Sequence, residues 1–72
     1  MMKKDYLKKI GKRIAEIRKG KNWTQQRLAD ACDMEKSNLC RIEKGNSNVT
    51  ISTLWKIANA LGVRLVDLVD IE

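Results

Sequence analysis

The fold is decided by residues 24–45, which read TQQRLADACDMEKSNLCRIEKG. Thr24 can cap a helix with its hydroxyl group, and apolar residues then recur at the spacing of a helix that buries one face. The pattern stops at residues 32–34 and resumes until Gly45, a residue type that ends helices by adopting a left-handed conformation. The stretch therefore predicts two short helices joined by a tight turn. Their shared buried seam would consist of Leu28, Ala29, Cys32, Leu39 and Ile42.

Three more helices are predicted around this pair. A first helix begins near Asp5 as its cap and ends around residues 20–22, where Gly and Asn tolerate positive φ. Thr50 caps a fourth helix that ends at Gly62, and a short fifth helix follows. No segment alternates as a strand would, so we expect an all-α, five-helix protein. The apolar residues expected to face the core are Leu7, Ile10, Ile14 and Ile17 in the first helix, Ile51, Leu54, Ile57, Ala58 and Leu61 in the fourth, and Leu65 and Leu68 in the fifth.

Length and composition indicate a single domain over residues 1–72. A chain of 72 residues, 43% hydrophobic and 33% charged, can bury only one small core, which speaks against a large catalytic cleft. His, the commonest general base and metal ligand, is absent, and Cys32 and Cys40 are too few for a zinc site. We therefore expect no enzyme, no cofactor and no metal. No apolar run approaches the roughly 18 residues of a membrane span, so we expect a cytoplasmic protein without membrane contact.

The basic residues are concentrated in one part of the chain. Residues 1–45 hold 13 Lys and Arg against 6 Asp and Glu, a net charge of +7, whereas residues 46–72 hold 2 against 3, a net charge of −1. Positive charge concentrated in one part of the chain favours binding of a polyanion, because Lys and Arg side chains that neutralise phosphates release the counterions condensed on it. A solvated basic surface is the alternative, and charge alone does not choose between the two.

Three segments stand in a fixed order: TQQRLA at residues 24–29, SNLCRIEKG at 37–45 and TLWKIANALGV at 53–63. Together they resemble the lambda-repressor-like helix-turn-helix proteins, also called the Cro or xenobiotic-response-element type. The resemblance covers about residues 12–68. It implies a five-helix DNA-binding domain with the helix-turn-helix in the second and third helices, and a transcriptional regulator that binds double-stranded DNA sequence-specifically.

By this resemblance, Lys36, Ser37 and Arg41 contact base edges in the major groove, and Asn38 faces either a base or a phosphate. Arg and Lys pair well with the N7 and O6 acceptors of guanine, and a Ser hydroxyl can donate or accept. The alternative is an ordinary solvated helix face, which charges at helical spacing usually indicate.

Contacts to the DNA backbone are implied for Gln25, Lys44, Asn46, Ser47 and Asn48. The amide of Gln25 would lie in the first turn of the second helix, where it lacks an intrahelical partner and can bind a phosphate. In the family this glutamine also braces the residues that contact bases; the alternative is a plain solvent-exposed residue. The loop at residues 46–48 would offer amides and side chains, which position the protein without carrying sequence information.

The resemblance also implies an ion pair between Arg18 and Glu43 that links the first helix to the end of the third. The alternative is two exposed, unpaired charges. The sequence departs from the family pattern at Asp33, where the turn usually carries Gly, at Glu35, which replaces a Ser or Thr cap, and at Cys40, where Ser is common. A carboxylate at Glu35 suits the helix dipole but repels phosphate.

Useful specificity requires two copies of the domain, because one helix contacts only a few base pairs and dimers bind half-sites about 34 to 36 Å apart. We predict a homodimer formed through the fourth and fifth helices and the apolar C-terminal residues; a regulatory protein partner is a further option. Candidate contacts are Trp55, Val66, Val69 and Ile71. For Trp55 the alternative is a half-buried side chain that completes the core. Two other functions compete: a DNA-binding antitoxin of a toxin pair, and a protein-interaction module with an incidental basic face.

Overall fold

The computed structural model describes residues 4–70, and this range contains five helices and no strand. The all-α prediction is therefore confirmed. The described residues occupy an envelope of 28 × 22 × 19 Å. The helices are α1 (Lys4–Gly20), α2 (Gln25–Ala31), α3 (Lys36–Lys44), α4 (Ile51–Leu61) and α5 (Leu65–Val69).

Local capping chemistry sets four of the helix ends. The hydroxyl oxygens of Thr24 and Thr50 accept hydrogen bonds from backbone amides three residues later, at 3.1 and 3.2 Å. Gly45 and Gly62 end α3 and α4 with φ values of 75° and 72°, which glycine adopts without steric cost. One predicted cap is wrong: Asp5 lies inside the first turn of α1, because the helix already contains the residue before it.

The core forms where α1 packs against α3, with α2 on α3 and α5 on α4. The whole predicted seam between α2 and α3 is buried, and Ile17 and Leu65 are partly buried against the core. The prediction for Ile51 is wrong, since this side chain is 62% exposed. Its spacing places it on the inner stripe of α4, but it belongs to the first turn, beyond the packed core. Buried apolar residues are Leu7, Ile10, Ile14, Leu28, Ala29, Cys32, Leu39, Ile42, Leu54, Ile57, Ala58, Leu61 and Leu68.

Candidate nucleic-acid interface

The turn between α2 and α3 fixes the angle between the two helices. Asp33 adopts a left-handed conformation with φ 55°, which Asp tolerates better than most residues. The amide of Met34 then donates to the carbonyl oxygen of Ala29 at 2.9 Å, which closes the turn onto the end of α2. Glu35 precedes α3 in extended conformation but makes no side-chain capping hydrogen bond. The turn therefore keeps its geometry with Asp in place of Gly.

One side of α3 faces solvent and is polar. We call Lys36, Ser37, Asn38 and Arg41 the α3 face; all four residues are exposed, whereas Leu39 and Ile42 on the other side of the helix are buried. No side chain of the α3 face forms a hydrogen bond or ion pair within residues 4–70. Ser37 and Arg41 lie one helical turn apart, so their side chains share a stripe. The four predicted base-contacting residues are thus brought together on one accessible surface.

A buried ion pair holds α3 from behind. The Arg18 guanidinium donates from Nε to Glu43 Oε2 at 2.8 Å and from Nη2 to Oε1 at 3.1 Å, and the two side chains are only 8% and 6% exposed. Arg18 Nη1 also donates to the carbonyl oxygen of Trp23 at 2.7 Å. Gln25 Nε2 donates to Glu43 Oε1 at 2.8 Å. Two segments, α1 and the start of α2, therefore converge on one carboxylate of α3, and the loop before α2 is bound to the same Arg18 guanidinium.

In this network the Gln25 side chain points towards Glu43 and not outward into solvent. It is partly buried and donates to Glu43, so the side chain braces the end of α3; within residues 4–70 it forms no hydrogen bond with the α3 face. The Gln25 backbone amide remains in the first turn of α2, where helical geometry provides no intrahelical acceptor.

Two glycines let α1 approach α3 closely; Gly45 was expected only as the residue that ends α3, and no role was expected for Gly11. A Cβ on Gly11 would lie 2.5 Å from the carbonyl oxygen of Glu43, and a Cβ on Gly45 would lie 2.6 Å from the Cα of Lys8. Any larger side chain at Gly11 would push α3 away from α1. The available signal was a glycine beside the buried stripe of a long helix, where glycine is otherwise unfavourable.

The other residues predicted to contact the DNA backbone lie at the end of α3 and in the following loop. Lys44, Asn46 and Asn48 are exposed and Ser47 is partly buried. The loop was expected to offer its backbone amides to phosphates. For Asn46 this is wrong, because its backbone amide donates to the carbonyl oxygen of Arg41 at 2.9 Å. That bond belongs to the C-terminal cap of α3, so Asn46 can offer only its side chain.

Three large apolar side chains of α4 and α5 are exposed to solvent. Ile51, Trp55 and Val66, which we call the apolar face, are 62%, 57% and 46% exposed. Val69 is partly buried and packs against the core, and Ile71 lies outside the described residues. The sequence pattern places Ile51 in the core, although its position one helical turn before Trp55 was a signal that both side chains lie on the same side of α4.

The remaining chemistry of the described residues is sparse. Cys32 is buried, and its Sγ donates to the carbonyl oxygen of Lys56 at 3.9 Å; burial raises the pKa of this thiol, and the Lys56 ammonium lowers it by less. Residues 4–70 contain no cluster of three or more Cys, Asp or Glu able to hold a metal ion. No helix in this range is long and apolar enough to cross a membrane.

Comparison with known proteins places the chain in a family. The model of the HTH_3 helix-turn-helix family matches residues 14–68. The chain is 39% identical over 62 residues to the control protein C.BamHI of Bacillus amyloliquefaciens, covering 85% of this chain and 76% of that protein. It is 38% identical over 63 residues to the immunity repressor protein of Bacillus phage phi105, covering 88% of this chain and 44% of the repressor.

Solved structures agree. The restriction-modification controller protein C.AhdI of Aeromonas hydrophila superposes with a TM-score of 0.84 at 32% identity, covering 86% of this chain and 94% of that one. This chain belongs to the HTH_3 helix-turn-helix family, a family of DNA-binding transcriptional regulators. The resemblance to lambda-repressor-like regulators is confirmed, and so is the place of the helix-turn-helix in α2 and α3.

Proposed function

We propose that this chain represses transcription as a homodimer that binds double-stranded DNA sequence-specifically and contacts the major groove with residues 36–44. We also propose that the protein is cytoplasmic, which its membership of a DNA-binding family supports. The single observation that carries the proposal is the α3 face, because four polar or cationic side chains are exposed together on a helix whose other side is buried. A B-DNA major groove about 12 Å wide admits one such helix.

The chemistry of the α3 face supports direct contact with bases. Arg41 carries a planar guanidinium that can donate two hydrogen bonds to O6 and N7 of guanine, and Lys36 can donate to the same acceptors. The Ser37 hydroxyl and the Asn38 amide can each donate and accept. Since none of these groups is engaged within residues 4–70, DNA would not need to displace an internal partner.

Contacts to phosphates would surround this face. We assign them to the backbone amide of Gln25, the Lys44 ammonium, and side chains of the loop at residues 46–48. The ion pair of Arg18 and Glu43 would hold α3 at the angle that these contacts require. Phosphate contacts fix register and orientation, while base contacts supply discrimination.

The apolar face supports a second copy of the chain as partner. The apolar side chains of Ile51, Trp55 and Val66 are in contact with water, which is unfavourable. A two-fold interface would bury them on both copies at once. Val69 and Ile71 are the remaining predicted contacts; Val69 already contributes to the core of its own protomer. Two copies would present two α3 faces to successive turns of one duplex.

Selection of bound duplexes from a random oligonucleotide pool tests the proposal. We expect a palindromic consensus whose half-sites are separated by about 10 base pairs, one helical turn of DNA. A variant combining Lys36→Ala, Ser37→Ala and Arg41→Ala should enrich no consensus. Lys9→Ala, which removes an exposed charge from α1, is the matched control and should enrich the same sequence as the unaltered protein. A pool that stays unenriched with the unaltered protein would contradict the proposal.

A further inference from the structure

Two cations share one aromatic ring beside the start of α2. The Arg27 guanidinium carbon lies 4.6 Å from the centroid of the Trp23 ring, and Lys21 Nζ lies 6.0 Å from it. Both distances are within the range of a cation–π interaction. Arg27 and Lys21 are exposed, whereas Trp23 is partly buried and packs against the core, so the ring is a fixed support for two positive charges.

Among the residues that the structure describes, no carboxylate forms an ion pair with either of these two cations. The ion pairs found in residues 4–70 involve Arg18 with Glu43 and Arg64 with Asp67, and neither includes Arg27 or Lys21. Asp30 is the acidic residue one turn after Arg27, but its Oδ1 accepts from Gln26 Nε2 at 2.9 Å. A guanidinium stacked on a ring keeps the edge that carries its N–H groups available to another ligand.

The ring is also tied to α3. The Trp23 carbonyl oxygen accepts from Arg18 Nη1 at 2.7 Å, and the same guanidinium is bound to Glu43. Gln25, two residues after Trp23, donates to the same carboxylate at 2.8 Å. An anion bound by the Arg27 guanidinium, which rests on this ring, would therefore lie near a fixed point relative to the helix that we assign to the major groove.

We propose that Arg27 and Lys21, supported by the Trp23 ring, form an additional contact site for the DNA backbone, with Arg27 binding a phosphate through two N–H donors. The site, which we call the stacked-cation site, rests on the proposed function but lies outside the α3 face and the loop at residues 46–48. It contacts phosphate only, so it contributes affinity and register on every sequence alike.

The salt dependence of binding tests the site on two duplexes, the selected consensus and a scrambled sequence of equal length. Neutralising one phosphate contact reduces the slope of log K against log salt by about 0.9. We expect Arg27→Gln to reduce the slope by this amount per bound subunit on both duplexes, with several-fold weaker binding and an unchanged consensus. Arg27→Lys keeps the charge without the fork and should keep the slope while binding more weakly. Lys9→Ala should change neither quantity.

Other results would overturn the site. If Arg27→Gln kept the full slope on both duplexes, Arg27 would serve only to cover the Trp23 ring. Trp23→Leu retains an apolar side chain against the core but removes the ring; affinity equal to the unaltered protein's would exclude a role for stacking. Thermal unfolding of each variant separates a folding defect from a binding defect. Failure of the unaltered protein to distinguish consensus from scrambled duplex would instead count against the proposed function.

Discussion

The helices α3 and α5 are each associated with one Arg–carboxylate pair, and the two pairs lie in opposite surroundings. The pair that holds α3, Arg18 and Glu43, has side chains 8% and 6% exposed and a shortest distance of 2.8 Å. The pair at the start of α5, Arg64 and Asp67, is 81% and 33% exposed, with 3.4 Å between Arg64 Nη2 and Asp67 Oδ1. Water screens the second pair but barely reaches the first. The stronger constraint is therefore placed on the helix assigned to the DNA.

The exposed surfaces next to these pairs differ in the same way. The α3 face is polar and cationic, whereas the apolar face offers Ile51, Trp55 and Val66. A rigid polar surface suits hydrogen bonds that depend on orientation, because a displacement of about 1 Å already weakens them. An apolar surface tolerates such a displacement, because burial of area has no preferred direction. The contrast between the two regions can be tested by altering each in turn.

Breaking the buried pair should have the largest effect. Arg18→Met leaves the Glu43 carboxylate without its main partner in a buried position, and such a loss costs about 3 to 5 kcal/mol of unfolding free energy. Urea denaturation monitored by circular dichroism measures this cost. The same change should also weaken DNA binding, because α3 loses its attachment to α1.

A double variant separates the uncompensated charge from lost packing. Arg18→Met combined with Glu43→Leu removes both charges and should recover a large part of the lost stability. Gln25 would then lose its acceptor on Glu43, so full recovery is not expected. A double variant no more stable than Arg18→Met alone would show that the cost came from packing and would remove the contrast with α5.

Placing a charge on the apolar face should dissociate the proposed dimer without unfolding the protomer. Trp55 is 57% exposed in the protomer, so Trp55→Glu costs little core packing. At an interface the same carboxylate would be desolvated, and loss of a central Trp typically costs about 2 kcal/mol or more of association free energy. Sedimentation equilibrium measures the dissociation constant. Trp55→Phe is the conservative control, and a dimer that survives Trp55→Glu would exclude this face as the interface.

Arg41→Ala should affect discrimination between DNA sequences. We expect a loss of about 1 to 3 kcal/mol on the selected duplex and weaker preference at one base pair, measured by competition titration against single-position variants of the site. Lys44→Ala is the matched comparison from the end of the same helix. It should weaken all sequences alike and reduce the slope of log K against log salt by about one per bound subunit. If Arg41→Ala lowered specific and random binding equally, Arg41 would be a phosphate contact.

Features that depend on neighbours in sequence were predictable. Caps such as Thr24 and Thr50 act on amides three residues away, and Gly45 and Gly62 end helices through their own conformational freedom. The seam between α2 and α3 followed from helical periodicity because the two helices are close in sequence. The turn at Asp33 adopts a left-handed geometry although Asp stands where the family usually carries Gly.

Features that depend on distant partners were not predictable from periodicity. The need for Gly11 arises from backbone carbonyls of α3, more than 30 residues away in sequence. Ile51 continues the stripe of α4 but extends past the end of the core, which spacing alone does not reveal. The ion pair of Arg18 and Glu43 came from family resemblance, since charges beside apolar stripes are as compatible with solvent exposure.

The smallest effect is expected at the exposed pair of α5. The Arg64 amide donates to Asp67 Oδ2 at 2.9 Å and lowers the pKa of Asp67, with a further contribution from the Arg64 side chain. A carboxyl group whose pKa is lower in the folded state than in the unfolded state stabilises the fold at pH values above its ordinary pKa. This contribution disappears as the pH falls below about 4. The difference in stability between the unaltered protein and Asp67→Asn should therefore become smaller in acid.

Asp70→Asn, at the other end of α5, is the control. Thermal unfolding from pH 7 to pH 3 measures the stability difference of each variant from the unaltered protein. If the stability difference between the unaltered protein and Asp67→Asn did not change with pH, the capping hydrogen bond, and not the charge of Asp67, would hold the start of α5. The two Arg–carboxylate pairs would then differ in the kind of interaction that stabilises each helix, and not only in their exposure to water.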